Sequence, residues 1–247
     1  MPLNNQQKER YQRHLSLPEI GHSGQEKLLR SKVLVVGTGG LGSPAAFYLA
    51  AAGVGTIGLM DGDSVELSNL QRQILHTTAS LGQKKVDSAS NLLRELDPAI
   101  RLQLHPFRLN AENAPEILAN YDFVIDATDN FPSKFLIAKA CHAASKPYSH
   151  AGIKAFYGQT MTVHPGESAC YGCVFHEEGT PLPSTPAGPI GALPGVIGSI
   201  QAIEAIKWVL SIGTPLTNTV LTFDALSMEA RRVPVKRDTH CPLCGKR

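Results

Sequence analysis

The chain has 247 residues, of which 43% are hydrophobic, a length and composition that suit one domain with one large core. Its net charge is only +2 and its Lys and Arg residues form no long run, which argues against binding to nucleic acid or to a membrane surface. The N-terminus lacks the apolar core of a signal peptide, and glycines interrupt the richest apolar stretch, at 43–60. We therefore expect a cytoplasmic protein with reduced thiols.

The first third of the chain predicts a helical arm followed by a βαβ unit. Residues 1–30 are polar with scattered apolar positions, a pattern typical of surface helices that lie on something else. A short apolar run at 32–37 predicts a buried parallel strand, a helical pattern follows at 41–52, and 56–61 predicts the next strand.

The alternation of helix and strand continues along the chain. Helical patterns at 85–96 and 114–119, with strand patterns at 101–105 and 123–126, predict an open Rossmann-like parallel sheet over a nucleotide-binding half at 31–147. In an α/β sheet of this kind, ligands bind beyond the carboxyl ends of the strands.

The pattern changes in the second half, at 148–247. Strand patterns at 159–163 and 219–223 with hairpin-like surroundings predict that this half of the sheet is mixed, and the family resemblance given below implies that it docks the carrier. Residues 178–198 are dense in Gly, Pro, Ser and Thr, which predicts a long mobile loop before a helix at 199–210. Long loops in compact domains are usually functional, and a disordered connector is the alternative.

A glycine-rich loop follows the first predicted strand. Residues 37–42 read Gly-Thr-Gly-Gly-Leu-Gly, so Gly37, Gly39 and Gly42 satisfy the dinucleotide fingerprint, and Asp61 closes the second strand. Such glycines let backbone N–H groups approach phosphate oxygens, and the acid accepts hydrogen bonds from ribose hydroxyls. The motif by itself does not separate ATP from a nicotinamide cofactor.

Polar and cationic residues follow where the crevice is expected to open, namely Asn69, Arg72 and Lys85. Nucleotidyl transfer needs positive charge against the α-phosphate and the departing pyrophosphate, whereas a dehydrogenase needs no such cluster. Any one of these side chains could instead be a solvated surface residue. Their placement together is therefore what favours a triphosphate site.

Two carboxylates, Asp126 and Asp129, follow the strand at 123–126. Magnesium prefers one or two carboxylates together with phosphate oxygens and water. Asp129, on the loop, is the better magnesium candidate, and Asp126, nearer the strand, is expected to cap the following turn.

Four of the five cysteines form two Cys-x-x-Cys pairs, Cys170 with Cys173 and Cys241 with Cys244. Two such pairs predict one closed, tetrahedral, structural zinc site, with unrelated thiol pairs or disulfides as the alternatives. The fifth, Cys141, lies in a helical pattern and is expected to pack in the core.

Six histidines show no ligand spacing and are expected to be structural or surface residues: His76, His105, His142, His150, His164 and His176.

Seven ordered motifs together resemble the ThiF/MoeB/HesA family, the prokaryotic relatives of ubiquitin-activating enzymes. They lie at 10–13 (Arg-Tyr-Gln-Arg), 37–42, 61–63 (Asp-Gly-Asp), 69–73 (Asn-Leu-Gln-Arg-Gln), 82–85 (Gly-Gln-Lys-Lys), 126–130 (Asp-Ala-Thr-Asp-Asn) and at the paired cysteines. The resemblance runs nearly end to end, over 1–247 as a single adenylation domain. It implies a homodimeric enzyme that uses ATP and Mg²⁺ to adenylate the C-terminal glycine of a ubiquitin-like sulfur carrier ending in Gly-Gly.

The resemblance also implies residue roles. The implied catalytic set is Arg13, Arg72, Lys85 and Asp129, where Arg13 reaches the nucleotide of the other subunit and Asp129 holds magnesium. The residues expected to contact the nucleotide are Gly37, Gly39, Gly40, Gly42, Asp61, Asp63, Asn69, Arg72, Gln73, Lys85, Asp129 and Asn130.

The chain departs from some relatives, which carry a cysteine in the loop that bonds the activated carrier, because 178–198 contains none. We therefore predict that this loop guides the carrier's tail and that a carrier acyl-adenylate passes to a separate sulfur donor, a sulfurtransferase or a cysteine desulfurase. Three alternatives stay open. They are adenylation of a peptide or small-molecule carboxylate, an NAD-dependent oxidoreductase, and a catalytically idle dimeric scaffold.

Overall fold

A computed structural model of the chain describes residues 2–176 and 188–245. Three helices come first: α1 (Asn5–Arg10), α2 (Gln12–Leu15) and α3 (Gly21–Arg30). Strands and helices then alternate: β1 (Lys32–Val36), α4 (Gly42–Ala51), β2 (Thr56–Met60), α5 (Lys85–Leu96), β3 (Arg101–His105), α6 (Ala114–Ala119), β4 (Phe123–Asp126) and α7 (Phe131–Ala143). The remaining elements are β5 (Tyr148–Lys154), β6 (Tyr157–Val163), α8 (Tyr171–Val174), α9 (Ala192–Leu210), β7 (Thr219–Asp224) and β8 (Glu229–Pro234).

Within the described residues, the strands form one 8-stranded sheet in the order β3-β2-β1-β4-β5-β6-β7-β8. The pairs from β3 to β5 are parallel, and the pairs from β5 to β8 are antiparallel. The prediction of a parallel first half and a mixed second half is therefore confirmed. The strand order reverses between β1 and β4, the kind of switch point at which open α/β sheets bind ligands.

The apolar run of β1 explains why two cores form. Val33 and Val35 face a core shared with α4, α5 and α9, whereas Leu34 and Val36 face a core shared with α6 and α7. A strand covered on both faces needs apolar side chains at every position, which is the continuous pattern that β1 shows. Cys141 of α7 lies in the second core with no exposed surface, as predicted.

Helix α9 corrects the loop prediction. It begins at Ala192, so the prediction was wrong for 192–198, and the part at 178–187 lies outside the described residues. Pro194 lies in the first turn of α9, where its missing N–H leaves no hydrogen bond unmade. A Cβ on Gly198 would lie 2.2 Å from the carbonyl oxygen of Leu41, at the start of α4. Pro194 and Gly198, residue types that are typical of loops, are thus compatible with a helix here, and Gly198 lets α9 pack closely on α4.

Among the described residues, α9 is also the helix long and apolar enough to cross a membrane, with a mean hydropathy of 1.3. However, 56% of that apolar window is buried inside the protein, where α9 packs on α4 and on the centre of the sheet. Its apolar character is that of a core helix.

Strand β8 is an edge strand that the sequence analysis did not predict. It pairs with β7 over its whole length, and all six of its residues are exposed. A strand with no buried face has no apolar alternation by which to recognise it. The division of the chain at residues 31 and 148 stays a prediction.

Candidate functional site

A cavity of about 750 Å³ lies beside the switch point. It is lined by most of the predicted nucleotide contacts: Gly37, Gly39, Gly40, Asp61, Asp63, Arg72, Gln73, Lys85, Asp129 and Asn130. The fold thus brings together residues that are up to about ninety positions apart in the chain, at the carboxyl ends of parallel strands.

Three of the predicted site residues are not among those that line the cavity in the described part of the chain. Gly42 lies under the glycine loop, where a Cβ would meet the Gly37 carbonyl oxygen at 1.8 Å. Asn69 is buried, and its Oδ1 accepts a hydrogen bond from the backbone N–H of Glu66 at 3.1 Å. Arg13 is exposed on α2. Their contacts with a nucleotide stay predictions.

The glycine loop is held in a fixed shape by its own backbone and by Asp61. Gly37 has φ +94°, and a Cβ there would meet the carbonyl oxygen of Ala127 at 2.8 Å, so only glycine fits. The N–H and Oγ1 of Thr38 donate to Asp61 Oδ2 at 2.9 and 3.1 Å, and Asp61 Oδ1 accepts from the N–H of Asp63 at 2.9 Å. Each carboxylate oxygen accepts more than one hydrogen bond, so Asp61 can anchor this loop and still accept from a ribose hydroxyl.

His76 supports the same loop from the buried side. Its Nε2 lies 3.0 Å from the carbonyl oxygen of Thr38, and its Nδ1 lies 3.0 Å from the hydroxyl of Ser88. Since a carbonyl oxygen only accepts, Nε2 carries the proton. Burial lowers the pKa of His76, which favours the neutral ring. His76 is therefore structural, as expected from its lack of a ligand partner.

Charges of both signs face the cavity around Asp63. Lys85 Nζ lies 3.5 Å from Asp63 Oδ2, and Arg108 Nη2 lies 2.9 Å from Asp63 Oδ1. The hydrogen bond from Arg108, followed by the charge of Lys85, outweighs burial and lowers the pKa of Asp63. Arg72 Nη1 donates to the carbonyl oxygen of Ser68 at 3.1 Å, which orients this second predicted cation. The result is a cationic wall beside the glycine loop, suited to a polyphosphate.

The carboxylate of Asp126 is fully engaged. Its Oδ1 accepts from the N–H and Oγ1 of Thr128 at 3.0 and 2.6 Å, so it caps the turn as predicted. Its Oδ2 lies 3.0 Å from His150 Nδ1 and 3.5 Å from Lys134 Nζ. Burial alone raises the pKa of Asp126, but the charge of Lys134 and the hydrogen bonds from His150 and Thr128 outweigh it and lower the pKa to about 2.

Asp129 is the carboxylate that remains available to a cation. It is exposed at the cavity, and its Oδ1 accepts a hydrogen bond from Asn130 Nδ2 at 3.2 Å. The Oδ1 of Asn130 in turn caps α7 by accepting from the N–H of Ser133 at 2.9 Å. Asp129 is therefore more accessible to a metal ion than Asp126, and its role as the magnesium ligand stays a prediction.

Two parts of the cavity were not predicted from the sequence. Lys134 and Arg108 line it, and the only signal for Lys134 was a charge within an apolar helical pattern. Aromatic side chains from the second half of the chain also line it, namely Tyr157, Tyr171 and Phe175. No spacing rule groups these rings, because α8 and the β5–β6 hairpin meet only in the folded chain.

The four paired cysteines converge as predicted. Their Sγ atoms lie within 4.8 Å of one another, with 3.8 Å between Cys170 and Cys173, 3.5 Å between Cys170 and Cys241, and 3.4 Å between Cys173 and Cys244. Disulfide sulfurs lie about 2 Å apart, so the thiols are free. A tetrahedron with Zn–S bonds of about 2.3 Å has edges near 3.8 Å, which these distances approach.

Comparison with known proteins gives the family. The model of the ThiF family matches residues 11–243. The sulfur carrier protein adenylyltransferase of Thermus thermophilus is 44% identical over 245 residues, covering 96% of this chain and 90% of that protein. The SAMP-activating enzyme E1 of Haloferax volcanii is 41% identical over 249 residues, covering 100% of this chain and 92% of the relative.

A solved structure shares the fold. The crystal structure of E. coli MccB with ATP superposes with a TM-score of 0.82 at 24% identity, covering 96% of this chain and 75% of that one. At this level of identity the likeness concerns the fold alone, and it matches the open mixed sheet described above. The family model and the two relatives go further, and the enzyme chain described here belongs to the ThiF family.

Proposed function

We propose that the chain is an adenylyltransferase that uses ATP to activate the C-terminal glycine carboxylate of a ubiquitin-like sulfur-carrier protein ending in Gly-Gly. The observation that carries the proposal is one cavity containing the glycine loop, Arg72, Lys85 and Asp129. The Thermus thermophilus relative, named a sulfur carrier protein adenylyltransferase, supports the choice of substrate because it matches over nearly all of both chains.

The reaction needs no nucleophile from the enzyme. A carboxylate oxygen of the carrier attacks the α-phosphorus of ATP in line, and a mixed anhydride forms. The bond from the α-phosphorus to the bridging oxygen breaks, and its electron pair leaves with pyrophosphate. Arg72 and Lys85 stabilise the charge that builds on the leaving phosphates, so that catalysis consists of positioning and electrostatic stabilisation.

The donor set fits ATP. Gln73 Oε1 is buried in the cavity wall and has no hydrogen-bond partner in the part of the chain that the structure describes, so a ligand donor such as the adenine amino group or a ribose hydroxyl satisfies it. Asp61 retains acceptor capacity for the ribose, and Gly39 and Gly40 of the glycine loop line the cavity.

Magnesium fits the remaining carboxylate. Asp129 would hold the ion, and Mg²⁺ when bound offsets phosphate charge. One exposed carboxylate beside a polyphosphate site is the donor set that this ion prefers, because it keeps several waters and takes phosphate oxygens. Asp126 has no oxygen to spare.

The activated carrier leaves as an acyl-adenylate and receives sulfur from a separate donor, a sulfurtransferase or a cysteine desulfurase. Burial raises the pKa of the Cys141 thiol, which suppresses the thiolate needed for attack. The four other cysteines converge on one site, for which we propose structural zinc. The chain therefore offers no thiol suited to hold the carrier covalently.

The carrier tail enters over aromatic side chains that line the cavity, at Tyr157 and Phe175. The proposal also includes a homodimer, in which the exposed Arg13 of one subunit reaches the nucleotide of the other. It further includes a cytoplasmic location, which is consistent with the free thiols.

Exchange of radiolabelled pyrophosphate into ATP tests the proposal. We expect exchange with carriers that end in a free Gly-Gly carboxylate and none with the same carriers amidated at the C-terminus. Exchange driven by free amino acids or short peptides would instead support activation of small carboxylates. Calorimetric binding of NAD without any ATP binding would support an oxidoreductase, and absence of exchange with every carrier would contradict the proposal.

A further inference from the structure

Lys134 carries a charge, yet it is buried in the cavity wall. It lies near the N-terminus of α7 with 6% of its surface exposed. Its Nζ donates to the carbonyl oxygens of Thr128 and Ala151, both at 2.6 Å, and lies 3.5 Å from Asp126 Oδ2. One ammonium group thus joins the end of β4, the β4–α7 connection and strand β5.

Core packing alone does not account for a lysine at this position. Burial lowers the pKa of Lys134, because the ammonium form is disfavoured in a poorly solvated site, although the charge of Asp126 partly offsets this. Buried ion pairs contribute little net stability, and an apolar side chain of similar size often replaces them without loss. The geometry that Lys134 imposes is therefore the better reason for its presence.

The segment that Lys134 holds is the one that leads into Asp129. The carbonyl oxygen of Thr128 accepts from Lys134, while its N–H and its hydroxyl donate to Asp126. His150 donates to Asp126 at 3.0 Å and so ties the same cluster to β5. Every polar group of the residue before Asp129 is thus bonded, whereas the Asp129 side chain itself stays exposed in the cavity.

We propose that Lys134 is a positioning residue for adenylyl transfer, because its bonds to Thr128 and Ala151 fix where the Asp129 carboxylate stands in the cavity. This inference rests on the proposed function, in which Asp129 holds magnesium against the phosphates. Without Lys134, two carbonyl oxygens lose their donor and the β4–α7 connection is free to shift, which moves the metal ligand relative to the nucleotide.

The test measures metal binding directly. Mn²⁺ binding is titrated by electron paramagnetic resonance in the presence of a non-hydrolysable ATP analogue, for wild type, Lys134→Met and Lys134→Arg. Loss of groups that orient a metal ligand typically weakens metal binding about 10-fold to 100-fold, and we expect a loss in this range for Lys134→Met. Lys134→Arg keeps the charge and two donors and is expected to recover most of the affinity. In exchange assays kcat falls for Lys134→Met, while KM for the carrier stays near the wild-type value.

Lys139→Met is the matched control, because Lys139 is exposed on the same helix, and it is expected to bind metal as wild type does. Wild-type metal affinity in a folded Lys134→Met variant would overturn the inference. If that variant fails to fold, Lys134→Gln decides, because its shorter, neutral side chain loses the ammonium group that donates to both Thr128 and Ala151; an unchanged affinity there counts equally against the inference. The titration contains no carrier, so failure of wild type in pyrophosphate exchange would contradict the proposed function separately.

Discussion

Asp126 and Asp129 lie close together where β4 leads into α7, and they differ in burial and in hydrogen bonding. Asp126 is 1% exposed and keeps its charge because Lys134, His150 and Thr128 all contact it. Asp129 is exposed and has one side-chain hydrogen bond, to Asn130. A carboxylate with every lone pair engaged acts as a structural anchor, and an exposed one can bind a cation.

The buried His150 makes stability depend on pH. Burial, followed by the charge of Lys134, lowers the pKa of His150 to about 4, although Asp126 opposes this shift. The ordinary histidine pKa is about 6.5, so below that value the unfolded chain binds a proton that the folded chain does not. The stability due to neutral His150 is fully present above pH 6.5 and is lost as the pH falls to about 4.

We predict that His150→Asn reduces this loss. Asn keeps an N–H donor for Asp126 but does not titrate, so its unfolding free energy should fall less between pH 6.5 and 4 than that of wild type, by up to about 3 kcal/mol. Urea unfolding at several pH values measures the difference. Parallel pH profiles for the two proteins would contradict the assignment.

At the scale of elements, close backbone contact between α9 and α4 decides where small residues are required. The chain of α9 passes Leu41 so closely that Gly198 has no room for a side chain. Gly195, one turn earlier, has no neighbouring atom within 4 Å of where its Cβ would stand. Two glycines in one helix therefore differ in their physical role.

Alanine substitutions should separate these two roles. Gly198→Ala forces α9 away from Leu41 and is expected to destabilise the protein by about 1–3 kcal/mol, as overpacking does. Gly195→Ala, the matched control, is expected to be neutral or to stabilise by up to about 1 kcal/mol, since alanine favours helix. Denaturant midpoints measure both, and equal midpoints for the two variants would show that the close contact is not limiting.

The cysteine site joins α8 to the segment after β8. Cys241 and Cys244 are buried, and the backbone N–H of Asp238 donates to Cys173 Sγ at 3.4 Å. Because a metal held only by the folded state stabilises that state, the site fastens the C-terminal segment to the second core.

We predict that Cys244→Ser lowers the metal content below one zinc per chain and the melting temperature by about 5–10 °C, which corresponds to a few kcal/mol for a chain of this size. Elemental analysis and calorimetry measure the two effects. Cys141→Ser, at a buried cysteine outside the site, is expected to retain both its zinc and carrier-dependent exchange. Full zinc occupancy in Cys244→Ser, or a carrier thioester that forms on wild type but not on Cys141→Ser, would contradict these assignments.

At the scale of the whole molecule, the cavity lies where the sheet changes from one strand order to the other. The parallel half supplies Arg72, Lys85 and Asp129, and the mixed half supplies Tyr157. Arg13 lies on the N-terminal helices and is not among the described residues that line this cavity. In the proposed homodimer, Arg13 of one subunit would reach the nucleotide of the other.

Mixed dimers test the role of Arg13. We expect Arg13→Ala and Lys85→Met homodimers each to lose about 100-fold in exchange rate, as removal of a charge-stabilising group does. When the two variants are co-expressed and pair randomly, half of the dimers are heterodimers. Each heterodimer has one intact site, which combines Lys85 of one subunit with Arg13 of the other, so about a quarter of the wild-type activity should return. Arg72→Ala mixed with Lys85→Met is the control, because both groups belong to one site, and no recovery is expected. Recovery confined to the control level would show that Arg13 does not act across subunits.

The sequence by itself determined the strands β1 to β4, the helices between them and the glycine loop. These features follow from local rules, because apolar runs, helical spacing and turn chemistry act over a few residues. It also identified the four cysteines, since paired spacing reflects the geometry of one metal.

Only the tertiary structure decided the start of α9, the edge strand β8, and the cluster of Lys134 with Asp126 and His150. Gly198 reads as a loop residue until the neighbouring backbone of α4 is in place. The cluster joins groups from β4, α7 and β5, and their charges become partners only after burial removes the water that would otherwise solvate them. Contacts between segments that are far apart in the chain form only when folding buries them, so they produce no periodic pattern in the sequence.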